Sequence, residues 1–259
     1  MNIISKLRIV TGPEQLRTGS GRSVSDLPPR GVTSYPSGIS PAAIDVINQA
    51  PAWLSPAERL LLYTLVYCLR PERYLEIGTF KGGSALIAAA AMEASASDGK
   101  LFCVEPRPQI SEEHWARIAA RATLLQGFSP DILPRAYEAA GGPFDFVFID
   151  GDHTARGVER DAEGVLPFVS EGAYLLFHDG FFPDVARGIR AFSARHTARL
   201  VDCGILTREM SQEITSSSPL FWFSSRGRKE GKKKSQEITS SSPLFWGGMW
   251  LMQVITPKQ

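Results

Sequence analysis

Tyr74-Leu75-Glu76-Ile77-Gly78-Thr79-Phe80-Lys81-Gly82-Gly83-Ser84 decides the fold. A short apolar run ends in an acid, turns through glycines and enters the alanine-rich stretch Ser84–Ala94. This is the pattern of a strand, a glycine loop and a helix. Backbone can come close to a ligand at Gly78, Gly82 and Gly83, where no Cβ intervenes. Free N–H groups at the start of the helix favour an anionic ligand group, whereas Glu76 favours a cation.

The same alternation continues outward. Strands are predicted at Arg73–Ile77, Lys100–Val104, Ala122–Leu125, Phe144–Ile149 and Ala173–Phe177. Helices are predicted at Ser84–Ala94, Ser111–Arg121, Pro130–Ala140, Gly157–Val169 and Asp184–Ala194. Short, continuously apolar strands between helices predict an α/β fold: a Rossmann-like, doubly wound, mostly parallel sheet of seven strands with helices on both faces. Ala198–Asp202 and Met249–Ile255 supply the last two strands. Upstream, Ser55-Pro56-Ala57-Glu58 reads as a capping box with proline in the first turn, opening a helix that runs to about Leu69.

Composition narrows the function. The 259 residues carry 28 Lys and Arg against 27 Asp and Glu, a net charge of +1 that gives no support for a polyanionic partner. Leu60–Leu69 is too short to span a membrane, and Met1–Val10 lacks a secretory signal. Cys68, Cys103 and Cys203 are odd in number and lie in apolar stretches, so they read as reduced core thiols of a cytoplasmic protein. Residues 1–41 are rich in Gly, Ser, Pro and Arg and read as a flexible N-terminal arm or lid. Residues 42–259 form the remaining domain. It contains an exact duplication, Ser211–Trp222 repeated as Ser235–Trp246, around the basic spacer Phe223–Lys234. The segment at about 211–246 is expected to be a disordered surface insertion, with a basic docking arm as the alternative.

Ligands of open parallel sheets sit beyond the carboxyl ends of the strands, where strand order reverses. Glu76 ends the first strand. Glu105, directly after Leu101-Phe102-Cys103-Val104, can accept two ribose hydroxyls. Gln126-Gly127-Phe128-Ser129 follows the third strand and suits the edge and face of an adenine. Neither a dinucleotide fingerprint nor a phosphate loop fits, since Phe80 and Gly83 occupy the decisive positions. A nucleoside carrying an amine, a carboxylate and a sulfonium meets all these demands, which points to S-adenosylmethionine. Its expected contacts are Glu76, Gly78, Thr79, Gly82, Ser84, Glu105, Gly127, Phe128, Ser129 and Asp150.

These motifs, from about Ser55 to Phe192, resemble the class I S-adenosylmethionine-dependent methyltransferases, especially the catechol, caffeoyl-CoA and macrolide-sugar O-methyltransferases. The resemblance implies the strand order 3-2-1-4-5-7-6. It also implies transfer of a methyl group to a hydroxyl of a small molecule, with a sugar or polyketide-type natural product preferred.

The strand Phe144–Ile149 stops in Asp150-Gly151-Asp152-His153, and the next strand stops in His178-Asp179-Gly180. Neighbouring strands lie about 4.8 Å apart, so these tips should converge. Asp150, His153 and His178 are the catalytic candidates, with His153 as general base. Asp150, His178 and Asp179 are the candidate ligands of a divalent cation, Mg²⁺ or Mn²⁺. A histidine at 178 departs from the Asp-Asn or Glu-Asp pair of the metal-dependent relatives and leaves room for a softer ion such as Mn²⁺ or for a bridging role with no metal. Asp161 is expected to be structural, and Phe181 and Phe182 to wall the acceptor site or fill the core. Two other readings remain at this level: an RNA or protein methyltransferase docking through the basic insertion, and a catalytically silent binding module. The sequence leaves a homo-oligomer open.

Overall fold

The computed structural model describes residues 41–209 and 246–256. Among these, helices α1 (Pro41–Gln49) and α2 (Pro56–Leu69) precede strand β1 (Arg73–Ile77). The chain then alternates through α3 (Gly83–Ala94), β2 (Lys100–Val104), α4 (Glu112–Ile118), β3 (Ala122–Leu125), α5 (Leu133–Ala140) and β4 (Phe144–Ile149). It continues through α6 (Ala155–Val165), β5 (Val169–Phe177), α7 (Pro183–Arg195), β6 (Leu200–Ile205) and β7 (Trp250–Val254).

The strands form one sheet in the order β3-β2-β1-β4-β5-β7-β6. β7 pairs antiparallel with both β5 and β6, and the remaining pairs are parallel. The order reverses between β1 and β4, and ligands of open parallel sheets bind at the carboxyl ends of strands beside such a reversal. Side chains alternate across β1. Leu75 and Ile77 join the core beneath α5, α6 and α7. Tyr74 faces the other core, under α1, α2 and α3, where its ring stacks on Phe146 with centroids 5.4 Å apart. Both faces are therefore covered, which is why these strands read as unbroken apolar runs.

The bounds of β1 to β4 coincide with the sequence expectation. β5 begins earlier, at Val169, through a polar stretch that pairs with β4 across a register shift. α1 is additional to the helices expected from the sequence. It forms because Ala43 and Ile47 bury against the α3 side of the sheet. Arg59 of α2 donates to the carbonyls of Ile47, Ala50 and Leu54 at 2.8–2.9 Å, and so satisfies backbone acceptors around the end of α1. The capping box is present: Ser55 Oγ accepts the Glu58 amide at 3.3 Å and Glu58 accepts the Ser55 amide at 2.8 Å.

The cysteine expectation needs correction. Cys103 is buried, but Cys68 and Cys203 are exposed. Each lies in an apolar-looking stretch whose solvent face it occupies. The N-terminal arm at 1–40 and most of the duplication, at 210–245, lie outside the described residues. Among the described residues no helix is long and apolar enough to cross a membrane.

Candidate active site

Hydrogen bonds between strand tips set the frame. The Gly78 amide donates to Val104 O at 2.9 Å, Asp150 N to Ile77 O at 2.8 Å, and His178 N to Ile149 O at 3.1 Å. Glu105, Gly78, Asp150 and His178 therefore stand side by side at the ends of β2, β1, β4 and β5, on either side of the point where strand order reverses. A Cβ on Gly78, whose φ is +95°, would overlap the Asp150 carbonyl. Gly83 serves packing in the same way, against the backbone of Pro51 and Ala52. At Gly78 and Gly83 the missing side chain makes room for the chain itself, a packing requirement that the expectation of ligand approach did not include. Gly82, with φ +76°, starts α3 in the left-handed region, and its missing side chain faces Ile110.

On the cofactor side, Glu76 is wholly buried and accepts hydrogen bonds from Ser84 Oγ at 3.0 Å and Tyr74 OH at 3.1 Å. Burial pushes its pKa up to about 7, against the lowering effect of those two hydroxyls. Ser84 thus acts on Glu76 rather than offering its proton outward. Thr79 is buried, and its hydroxyl has no hydrogen-bond partner of good geometry among the described residues. Glu105 accepts the amides of Phe80 at 3.0 Å and Arg107 at 2.8 Å, one on each carboxylate oxygen. Each oxygen keeps a second lone pair for a ribose hydroxyl. Gly127 lies against Ile132, Phe128 is half exposed, and Ser129 is buried with its hydroxyl directed to Asp161.

At the other side of the crevice two histidines interleave with three acids. His153 Nε2 lies 2.9 Å from Asp179 Oδ2 and 3.6 Å from Asp150 Oδ1. His178 Nδ1 lies 3.1 Å from Asp150 Oδ1 and 3.3 Å from Asp179 Oδ2. Its Nε2 lies 3.3 Å from Glu58 Oε2. Burial alone would discharge both rings, but the acids outweigh it. His153 is raised to about 10 by its bonds to Asp150 and Asp179, and His178 is held well above the ordinary histidine range by the same two. Burial likewise favours neutral acids at 150 and 179, yet the two rings hold both carboxyls below their usual range. With both rings charged, the three acids and two imidazoliums leave one net negative charge beside the crevice.

Among the described residues one group could hold a cation, and it contains His153 where His178 was the expected ligand. Asp150, His153 and Asp179 each offer a ligand atom within 4.8 Å of the others. Both nitrogens of His178 are already engaged by carboxylates. Two carboxylate oxygens and one imidazole nitrogen suit a divalent ion of borderline character such as Mn²⁺ better than Mg²⁺. The residues therefore fit a cation, though with His153 rather than His178 in the set. Asp161 is buried and packs beneath Gly151, and burial raises its pKa to about 6; it supports the strand tip, as expected.

Two residues that touch this cluster escaped the sequence reading. Glu58 was legible only as a helix cap. Trp246, the last residue of the duplication, stacks on Phe182 with centroids 4.5 Å apart and meets the His153 ring edge-on at 5.9 Å. The end of the supposed surface insertion thus forms part of the site wall. The following turn is pinned to the acids: Gly247 N donates to Asp179 Oδ1 at 2.6 Å, and Gly248 N to Glu58 Oε1 at 2.6 Å. The doublet Gly247-Gly248 was the available signal, since both residues adopt positive φ there.

Comparison with known proteins agrees with this geometry. Residues 75–180 match the family model described as a methyltransferase domain. A catechol O-methyltransferase of Niastella koreensis is 30% identical over 104 residues, covering 38% of this chain and 46% of that protein. Another, from Mycobacterium tuberculosis, is 32% identical over 116 residues, covering 43% and 50%. The chain thus spans about half the length of the curated relatives it matches. Among solved structures, the O-methyltransferase TomG of Streptomyces achromogenes, involved in tomaymycin synthesis and bound to S-adenosylmethionine, has a TM-score of 0.52 at 20% identity, covering 83% of this chain and 88% of TomG. An O-methyltransferase of Bacillus cereus bound to S-adenosylhomocysteine has a TM-score of 0.54 at 20% identity, covering 83% and 89%. Those two likenesses concern the fold. Residues 75–180 are thus similar to a methyltransferase domain, and the fold is one shared with these two solved O-methyltransferases.

Proposed function

We propose that this protein moves a methyl group from S-adenosylmethionine to a hydroxyl oxygen of a small molecule. The observation that carries the reading is the row of adjacent strand tips, with Glu105 and Gly78 on the nucleoside side and Asp150 and His178 on the reacting side. The cofactor's ammonium would meet Glu76, its carboxylate the free amides at the start of α3, and its ribose Glu105. Its adenine would lie along Gly127, Phe128 and Ser129. The net negative charge of the cluster formed by Glu58, Asp150, Asp179 and the two histidines favours the sulfonium.

Transfer is an in-line displacement. The acceptor oxygen forms its bond to the methyl carbon as the carbon–sulfur bond breaks, the sulfur keeps the electron pair, and the hydroxyl proton passes to a base. His153 is the assigned base. Asp150 and Asp179 hold its ring protonated, so it would accept a proton once another cation shares those carboxylates. As an alternative to base catalysis, a divalent ion held by Asp150, His153 and Asp179 would itself lower the pKa of the acceptor hydroxyl and fix its oxygen; His153 would then be a ligand, and the proton would leave to solvent. Orientation of the two reactants supplies most of the rate.

The catechol O-methyltransferase relatives support a hydroxyl acceptor. A sugar or polyketide-type acceptor is preferred from His153, which sits three residues after Asp150 as in the sugar-modifying enzymes the chain resembles. Trp246 and Phe182 offer such a molecule an apolar wall. The test is calorimetric titration with S-adenosylmethionine, with and without EDTA, followed by an acceptor screen that reads S-adenosylhomocysteine. Saturable binding and turnover that fail in Asp150→Asn are expected. A wild-type protein that binds no S-adenosylmethionine overturns the reading.

A further inference from the structure

A capping-box glutamate has its task at a helix end and ordinarily sits at the surface. Glu58 is only 1% exposed and faces a residue far along the chain. Its two oxygens hold three elements together: Oε2 accepts the Ser55 amide at 2.8 Å and lies 3.3 Å from His178 Nε2, and Oε1 accepts the Gly248 amide at 2.6 Å. The start of α2, the tip of β5 and the chain leading into β7 all meet at one carboxylate.

His178 needs that partner. The torsion that turns an imidazole ring is broad and roughly two-fold, so packing alone specifies it poorly. A half-turn of the ring would take Nδ1 away from Asp150 and Asp179 and leave the buried Asp179 and the partly buried Asp150 facing carbon. Anchoring Nε2 at the far end forbids that turn. We infer that Glu58 is a positioning residue of the proposed methyl-transfer site, fixing the His178 ring so that its Nδ1 proton is shared between Asp150 and Asp179. His178 then holds these two acids at the spacing His153 requires. The assignment rests on the methyltransferase reading for its consequence in turnover, but its geometry stands independently.

The test uses the full chain with ¹⁵N-labelled histidine. Four histidines make the imidazole spectrum assignable, with His178→Asn identifying the signal of interest. In the wild type the Nε2 proton of His178 should exchange slowly with water. Glu58→Gln keeps the side chain's size and should shift or lose that signal, and Glu58→Asp should restore it in part. Ser55→Ala removes only the cap hydroxyl; it should lower the melting temperature and leave the signal in place. With S-adenosylmethionine and catechol as the probe acceptor, Glu58→Gln should lower kcat about 10- to 100-fold, the loss typical when the outer partner of a working histidine is removed. KM for S-adenosylmethionine should stay within about twofold, because that site is untouched. An unchanged His178 signal in folded Glu58→Gln overturns the proposal. If the Glu58 variants do not fold, a rapidly exchanging Nε2 proton in the wild type overturns it instead. A wild type that binds no cofactor sinks the methyltransferase reading alone, and the imidazole spectrum still decides the role of Glu58.

Discussion

The carbonyl oxygen of Glu209 lies 2.9 Å from the point where a side chain would begin at Gly247. The two chain ends that bracket residues 210–245 therefore meet in space. Glu209 is fixed by its carboxylate, which accepts the Ala57 amide at 3.0 Å, and Gly247 is fixed by Asp179. A loop between touching ends can change length at little cost, since closure entropy varies only with the logarithm of length. Deleting residues 211–234, one copy of the duplication with its spacer, leaves the second copy running into Trp246. The deleted protein should stay folded, with stability within about 1 kcal/mol of the full chain in denaturant titration. A larger loss would show that the removed copy packs on the domain.

Gly83 tests a different kind of constraint. A Cβ there would overlap the backbone of Pro51 and Ala52, which cannot move aside as a flexible side chain can. Gly83→Ala should cost about 1–3 kcal/mol, the usual penalty of overpacking, and should lower the melting temperature. If its only effect were weaker cofactor binding, the glycine would serve the ligand and not the fold.

How much was legible follows from the same contrast. β1 to β4 were readable to the residue because strands buried on both faces are continuous apolar runs bounded by glycines and acids. Asp150, His178 and Asp179 were readable because acids and histidines ending such strands stand out. Partners distant in sequence were not legible. α1 depends on Arg59 reaching its last carbonyls, and Glu58 looks like any capping residue until the tip of β5 is laid against it. Trp246 carries no mark that separates it from Trp222, the end of the other copy; only the glycine pair that follows it differs. The exposure of Cys68 was likewise hidden, because helix α2 is apolar on much of its circumference.

Ser84 and Tyr74 flank Glu76, and burial holds its pKa at about 7. Only the ionised form attracts the ammonium of S-adenosylmethionine. Affinity should therefore rise with pH from about 5.5 and level off above 7, with a slope approaching tenfold per pH unit below the pKa. Glu76→Gln should bind about 10- to 100-fold more weakly, the equivalent of losing one hydrogen bond to a charged group, and its affinity should be flat across that window. Calorimetry at several pH values, with buffers of different ionisation enthalpy, reads both the affinity and the proton released. A wild-type affinity independent of pH would remove Glu76 from the cofactor contact.

Asp179 has a backbone φ of +57°, a left-handed conformation that asparagine also tolerates. Asp179→Asn should therefore keep the turn, and the amide oxygen can still accept the Gly247 proton. It removes the charge that lies 2.9 Å from His153. The folded-state pKa of His153, raised to about 10, lies above its value of about 6.5 in the unfolded chain. A raised base contributes stability fully below the unfolded pKa and loses it as pH climbs through the folded one. Wild-type stability should then decline between about pH 6.5 and 10, and Asp179→Asn should show a shallower decline beginning from a lower plateau. Melting curves across that range measure both slopes. Parallel curves for the two proteins would mean that Asp179 does not hold the charge on His153, and that Asp150 alone sustains it.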